Sequence, residues 1–134
     1  MTLFHIDTDY FVHALVQVGP EKSRLLELSD EGATVQISAV AWYELCRGPR
    51  TPAQLAVALS VLSENGVVPL DAAIAEHAAD VFRRLGSPRK RAQDIAIGVT
   101  AKVHGATLLT RNARDFRGID GLTVEEPRSV AEPR

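Results

Sequence analysis

Cysteine is almost absent from this chain. Among 134 residues there is one, Cys46, so the chain has neither an internal disulfide framework nor a Cys-rich zinc site. Cys46 follows Leu45 in a predicted helix, and we expect it to be a small buried apolar residue. No apolar run approaches the roughly 18 residues of a membrane span, and no basic segment followed by an apolar one opens the sequence. We therefore expect a soluble, cytoplasmic protein with no membrane partner.

The motifs of several large enzyme classes are also missing. The chain contains no Gly-x-x-x-x-Gly-Lys-Ser/Thr phosphate loop, no Gly-x-Gly-x-x-Gly dinucleotide motif and no Gly-x-Ser-x-Gly elbow. Its histidines lack the spacing of metal ligands; they are His5, His13, His77 and His104. These absences leave the acidic residues as the best candidates for a functional site.

Short apolar runs alternate with longer amphipathic segments along the chain. We predict four or five strands, at residues 2–6, 34–38, 67–70, 106–110 and, for the fifth, 122–124. Helices are predicted at residues 10–18, 20–32, 39–47, 52–65, 72–85 and 91–104. This alternation indicates an α/β fold in which helices cover both faces of a parallel sheet. The length predicts one domain, which we assign to residues 1–126, followed by a polar tail at 127–134.

Charge is unevenly distributed although the net charge is only −2. Residues 83–117 hold nine Lys or Arg and two acids, whereas residues 1–82 hold eleven acids and four Lys or Arg. A basic block of this kind is either a footprint for an anionic polymer such as nucleic acid or a solvated helix end and loop.

Four acidic residues each adjoin an element of fixed geometry: Asp7, Glu44, Asp94 and Asp115. Asp7 directly follows the first predicted strand, and functional sites in open parallel sheets lie at the carboxyl ends of strands. Each acid also has a purely structural explanation, as a helix cap, as a strand-end turn, or as a partner of Arg47 in the case of Glu44. If the four converge, their repulsion requires protonation or a hard divalent cation. Mg²⁺ takes oxygen ligands, and Mn²⁺ accepts the same set.

The order of these residues along the chain resembles the PIN-domain family. The pattern is Asp7-Thr8-Asp9 after a strand, then Glu44-Leu45-x-x-Gly48, Asp94-x-x-Ile97 and Thr110-x-Asn112-x-x-Asp115-Phe116. It covers about residues 2–126, and its last piece is the most telling. Within the family, the size of the chain is similar to that of the VapC-type toxins of bacterial and archaeal toxin–antitoxin pairs.

The resemblance implies a three-layer α/β/α PIN-like domain around a central, mostly parallel sheet of four or five strands. It also implies a metal-dependent endoribonuclease that uses Mg²⁺ or Mn²⁺. The implied partners are an RNA substrate, a cognate antitoxin and a second copy in a homodimer, whose contact face we seek on the helices of residues 51–86. Under this hypothesis the RNA phosphates contact the basic block through Arg89, Lys90, Arg91, Arg111, Arg114 and Arg117.

The resemblance assigns a role to each motif residue. Asp7, Glu44, Asp94 and Asp115 would be the catalytic acids. Asp7 and Asp94 would bind the metal, and Glu44 and Asp115 would contact the metal either directly or through a water molecule. The supporting residues would be Thr110 and Asn112, with Asp9 as a third candidate.

Asp9 departs from the family pattern, in which Asn or Ser usually stands two places after the first acid. It is either an additional site acid or a first-turn helix acid that points away from the site. Two alternatives to a ribonuclease stay open. One is a non-catalytic module that binds only a cation, RNA or the antitoxin. The other is a haloacid-dehalogenase-like phosphatase, whose Asp-x-Asp motif resembles Asp7-x-Asp9, although Phe11 stands where that motif has Thr or Val.

Overall fold

The computed structural model describes residues 2–128 and contains one five-stranded sheet. Its strands are β1 (Leu3–Ile6), β2 (Thr34–Ser38), β3 (Val67–Val68), β4 (Thr107–Leu109) and β5 (Thr123–Glu125). Their order across the sheet is β3-β2-β1-β4-β5, and every neighbouring pair is parallel. The predicted α/β class and the number of strands are confirmed, and the sheet is wholly parallel. The predicted tail lies outside the described residues from residue 129 onward.

Six α-helices complete the three-layer α/β/α arrangement. They are α1 (Thr8–Val16), α2 (Pro20–Asp30), α3 (Ala39–Arg47), α4 (Pro52–Val61), α5 (Ala72–Arg84) and α6 (Ala92–Val103). Short 3-10 helices span Arg89–Arg91 and Ala113–Phe116. Within residues 2–128, no helix is both long and apolar enough to cross a membrane.

Several element boundaries differ from the prediction, and two of these shifts have identifiable local reasons. Helix α1 begins at Thr8 rather than at residue 10, because the Asp7 side chain accepts a hydrogen bond from the Thr8 backbone N–H at 2.9 Å. Strand β3 ends at Val68 rather than at residue 70, because Pro69 has no N–H to donate to the ladder. The first shift matters for function, since it puts Asp9 inside the first turn of α1.

The core is built around the central strand β1 and its neighbours. Phe4 and Ile6 are buried, and so is His5, whose Nε2 pairs with Gln36 Oε1 at 3.0 Å. Burial lowers the pKa of His5 to about 4, which keeps its ring neutral in the apolar core. Helix α6 packs closely at Gly98, where an added Cβ would lie 2.6 Å from a side-chain carbon of Ile119.

Cys46 is exposed, so the expectation of a buried cysteine is wrong. Its neighbour Leu45 on α3 is almost completely buried. Successive residues of an α-helix point about 100° apart. The burial of Leu45 therefore turns Cys46 toward solvent.

Candidate active site

The candidate site begins where β1 and β4 end side by side. The Asp7 N–H donates to the Leu109 carbonyl at 2.9 Å, which extends the pairing one residue beyond β1. Thr110 directly follows β4 and is fully buried. Its Oγ1 donates to Asp7 Oδ2 at 3.0 Å. Parallel pairing thus joins two residues that are 103 positions apart in the chain.

The Asp7 carboxylate is held in a nearly dry position. The residue is 8% exposed, and its two oxygens accept hydrogen bonds from Thr8 N–H and from the Thr110 hydroxyl. Burial raises the pKa of Asp7 from 3.8 to about 7, and the negative charges of Asp94 and Glu44 add to the rise. The two hydrogen bonds oppose this rise, because they favour the charged form.

Glu44 is positioned by a residue that the sequence analysis did not assign. The Thr8 hydroxyl donates to Glu44 Oε1 at 2.8 Å and so connects the start of α1 to α3. Its signal in the sequence was a hydroxyl between two acids directly after a strand. The structural alternative for Glu44 is not realised, since no ion pair joins it to Arg47 within residues 2–128.

Asp94 and Asp115 approach the site from the other side. Asp94 lies half-buried in the first turn of α6. Its pKa is raised from 3.8 to about 6, mainly by burial and also by the charges of Asp115 and Glu44, while Arg91 opposes the rise. Asp115 lies in the second 3-10 helix. Its Oδ2 accepts a hydrogen bond from Asn112 Nδ2 at 3.0 Å.

The four acids therefore interact electrostatically from four separate segments of the chain. Within the described part of the chain, no three His, Cys, Asp or Glu side chains already form a group that could hold a metal ion. The donors are carboxylate oxygens, and the pKa values of two of the carboxyl groups, those of Asp7 and Asp94, are raised. This set fits Mg²⁺ or Mn²⁺ bound through one or two carboxylates and water, since a cation removes the repulsion that raises those pKa values.

Asp9 lies apart from these four acids. Its side chain is 61% exposed, and its Oδ2 accepts a hydrogen bond from Arg111 Nη1 at 3.1 Å. The same guanidinium donates from Nε to the buried carboxylate of Glu21 at 3.0 Å. Arg111 thus links the first turns of α1 and α2 to the segment after β4. The sequence analysis did not single out Glu21 as a partner.

Several residues of the basic block lie on the two 3-10 helices that precede Asp94 and contain Asp115. Arg91 is half-buried, and its Nη2 donates to the backbone carbonyls of Asp115 and Arg117. It therefore joins the start of α6 to the second 3-10 helix. Of the six basic residues that the resemblance assigns to RNA phosphates, the exposed ones are Arg89, Lys90, Arg111, Arg114 and Arg117.

The chain matches a known family at the level of sequence. The PIN domain family matches residues 5–122. This chain belongs to the PIN-domain family. The resemblance inferred from the motifs is confirmed, and the phosphatase alternative is set aside, because the match spans both the strand-end acids and the α6 acid. No curated protein matches the chain significantly in sequence.

Solved structures with the same PIN fold come from toxin–antitoxin complexes. VapBC2 from Rickettsia felis, bound to a promoter DNA fragment, matches with a TM-score of 0.75 at 21% identity over 95% of this chain and 100% of that chain. DNA-bound VapBC from Salmonella typhimurium matches with a TM-score of 0.71 at 24% identity over 94% and 98%. A toxin–antitoxin complex from Klebsiella pneumoniae matches with 0.69 at 26% identity over 97% and 100%.

Proposed function

We propose that this PIN domain is a metal-dependent endoribonuclease, the toxin of a toxin–antitoxin pair that acts in the cytoplasm. The convergence of four carboxylates at one edge of the sheet carries the proposal. Burial, together with their mutual repulsion, raises the pKa of Asp7 to about 7 and that of Asp94 to about 6. A purely structural set of acids gains nothing from such repulsion, whereas a cation-binding site requires the charge.

A bound Mg²⁺ or Mn²⁺ would neutralise charge on a phosphodiester and favour attack by water. Asp7 and Asp94 would hold the ion, because they are the two acids whose charged forms burial and repulsion disfavour most. Glu44 and Asp115 would orient water for in-line attack at phosphorus, with the 3′ oxygen as the leaving group. Thr8 and Asn112 would fix those two carboxylates by their hydrogen bonds.

The basic block would bring an RNA backbone to an acidic centre that otherwise repels it. Lys and Arg side chains at a distance from the acids neutralise phosphates on either side of the scissile one. The exposed side chains Arg89, Lys90, Arg114 and Arg117 flank the segments that carry Asp94 and Asp115. The half-buried Arg91 instead contributes to the local structure through its carbonyl contacts.

Replacement of Asp94 tests the ribonuclease proposal. Asp94→Asn keeps the shape of the side chain and removes its charge, so we expect Mn²⁺-dependent RNA cleavage to be lost while the protein stays folded. Asp80→Asn, an exposed acid on α5, is the matched control and should keep full activity. Preparation of all variants in parallel, with a chelator arm, controls for contaminating ribonuclease. Cleavage by Asp94→Asn at the rate of the unchanged protein would refute the proposal, and RNA binding without cleavage by the unchanged protein would favour the non-catalytic alternative.

An apolar groove between α1, α2 and α4 supports the antitoxin as partner. It has a volume of about 330 Å³ and is lined mainly by apolar side chains: Phe11, Ala14, Leu15, Leu25, Leu26, Val57 and Val61. Leu26 and Val57 are more than half exposed, which is costly unless another chain covers them. The solved neighbours are complexes with antitoxins, so we assign the groove to an apolar segment of the antitoxin.

A charge placed in the groove tests this assignment. Leu26→Asp should prevent co-purification with the antitoxin encoded by a neighbouring reading frame, and it should leave RNA cleavage intact. Leu59→Asp is the matched control, because Leu59 is also exposed on α4 but does not line the groove. Equal co-purification of both variants would argue against the groove. A homodimer, which the family resemblance implies, stays a prediction.

A further inference from the structure

One face of α3 carries an exposed aromatic residue beside the acidic site. Tyr43, Cys46 and Arg47 are spaced i, i+3 and i+4 and are all exposed, so they share one side of the helix. The Tyr43 side chain remains 58% exposed. Tyr43 immediately precedes Glu44, one of the four acids. Neither Tyr43 nor Arg47 has a role in the chemistry described above.

The Arg47 guanidinium covers the tyrosine instead of an acid. Its carbon lies 5.3 Å from the centroid of the Tyr43 ring, which is within cation–π range. No carboxylate pairs with Arg47 among residues 2–128. The positive charge is therefore available to an anionic partner, and the ring beside it is more than half exposed to solvent.

We propose that Tyr43 and Arg47 form a stacking platform for a base of single-stranded RNA whose backbone passes the four acids. Every base has a flat face that stacks on an aromatic ring or on a guanidinium. The charge of Arg47 also attracts the adjacent phosphate. This inference rests on the proposed ribonuclease function.

The charge distribution of the chain favours RNA over another protein as the occupant. Residues 1–82 are strongly acidic, and Arg47 and Arg50 are two of only four Lys or Arg residues there. Both lie at the carboxyl end of α3 or just beyond it. The basic block of residues 83–117 flanks Asp94 and Asp115, and the α3 face adjoins Glu44. A strand of RNA crossing the acids would thus meet positive charge on both sides.

RNA binding by variants that do not cleave tests the platform. In an Asp94→Asn background, we measure fluorescence anisotropy of a short single-stranded RNA of mixed sequence, labelled at its 5′ end. Tyr43→Ala should weaken binding about tenfold, as expected for the loss of one stacked base, and Tyr43→Phe should restore it. Arg47→Ala should weaken binding and reduce the salt slope by about one. Leu59→Ala, an equally exposed residue on α4, is the matched control and should bind like the background.

The single cysteine gives an independent readout of the same face. Cys46 is exposed between Tyr43 and Arg47, so bound RNA should slow its alkylation, and Tyr43→Ala should abolish this protection. Unchanged RNA affinity in Tyr43→Ala would overturn the platform. If Tyr43→Ala also changed the oligomeric mass in light scattering while its RNA affinity stayed normal, the face would be assigned to protein contacts instead. Either of these results would overturn the platform alone, because the unchanged protein would still cleave RNA. Absence of both cleavage and RNA binding in that protein would instead overturn the proposed function along with the platform.

Discussion

Replacement of Asp7 by Asn should stabilise the metal-free protein, and the gain should depend on pH. Asp7 is nearly buried, and two other acids repel its charge. Asn removes that charge and keeps the geometry. It caps a helix as well as Asp does, so the hydrogen bond from Thr8 N–H to the side chain is retained, and the Thr110 hydroxyl still faces a polar group.

The magnitude follows from the raised pKa of Asp7. Folding shifts this pKa from 3.8 to about 7, so the folded protein binds more protons than the unfolded chain between those values. Its stability is therefore highest below pH 3.8 and falls as the pH rises through about 7. Each pKa unit corresponds to about 1.36 kcal/mol. The quantity of interest is the free energy of unfolding of Asp7→Asn minus that of the unchanged protein. This difference should be larger at about pH 8 than at about pH 4, by at most about 4 kcal/mol.

Urea denaturation of both proteins at each pH, with a chelator present, measures this difference. Titrating groups that do not interact with Asp7 cancel, because they are common to the two proteins. Asp80→Asn, which removes an exposed acid, should change stability by less than about 1 kcal/mol at either pH. Excess Mg²⁺ at about pH 8 should stabilise the unchanged protein, by about 2.7 kcal/mol at a hundredfold excess over Kd, and not Asp7→Asn. A stability difference that is the same at both pH values would refute the reasoning.

Three further substitutions test the contacts around the site. Thr8→Val removes the hydrogen bond to Glu44 and should lower kcat about tenfold with little change in KM, while Thr8→Ser restores the rate; a loss that Ser does not restore would argue against this role. Asp9→Asn removes one of the two ion pairs of Arg111 and leaves the pair with Glu21 in place. It should therefore cost less than about 1 kcal/mol of stability and, because one negative charge is removed near the site, tighten RNA binding at low salt; a loss of Mn²⁺ affinity in calorimetry would instead make Asp9 a ligand. Gly98→Ala places a Cβ 2.6 Å from a packed side-chain carbon and should lower stability in urea by about 1–2 kcal/mol, because overpacking outweighs the gain in helix propensity.

The sequence was sufficient for the order of the elements and for the four acids. Capping residues, Gly and Pro boundaries and apolar periodicity are local signals, and they predicted four or five strands and six helices in the observed order. The motif order then indicated the family, which the match over residues 5–122 confirms. The main local errors were the end of α4, which is at Val61 rather than at residue 65, and the start of α1. The sequence offered Asp7 a role as strand-end turn or as helix cap, but α1 was still predicted to begin two residues too late, because the acid ends the strand and caps the helix at once.

The direction in which each side chain points depended on the packed fold. The sequence did not decide whether Asp9 points toward the site, and it wrongly predicted that Cys46 is buried. Both depend on which side of a helix faces the core, and that is set by the surface against which the helix packs. Contacts between distant segments, such as Thr8 with Glu44 and Arg111 with Glu21, exist only once the sheet has formed. The order β3-β2-β1-β4-β5 puts β1 in the centre, and parallel pairing brings the strand ends to one edge. Local sequence patterns alone were thus sufficient to place the candidate acids on their elements. Only long-range strand pairing and helix packing brought those elements close enough for the acids to interact electrostatically.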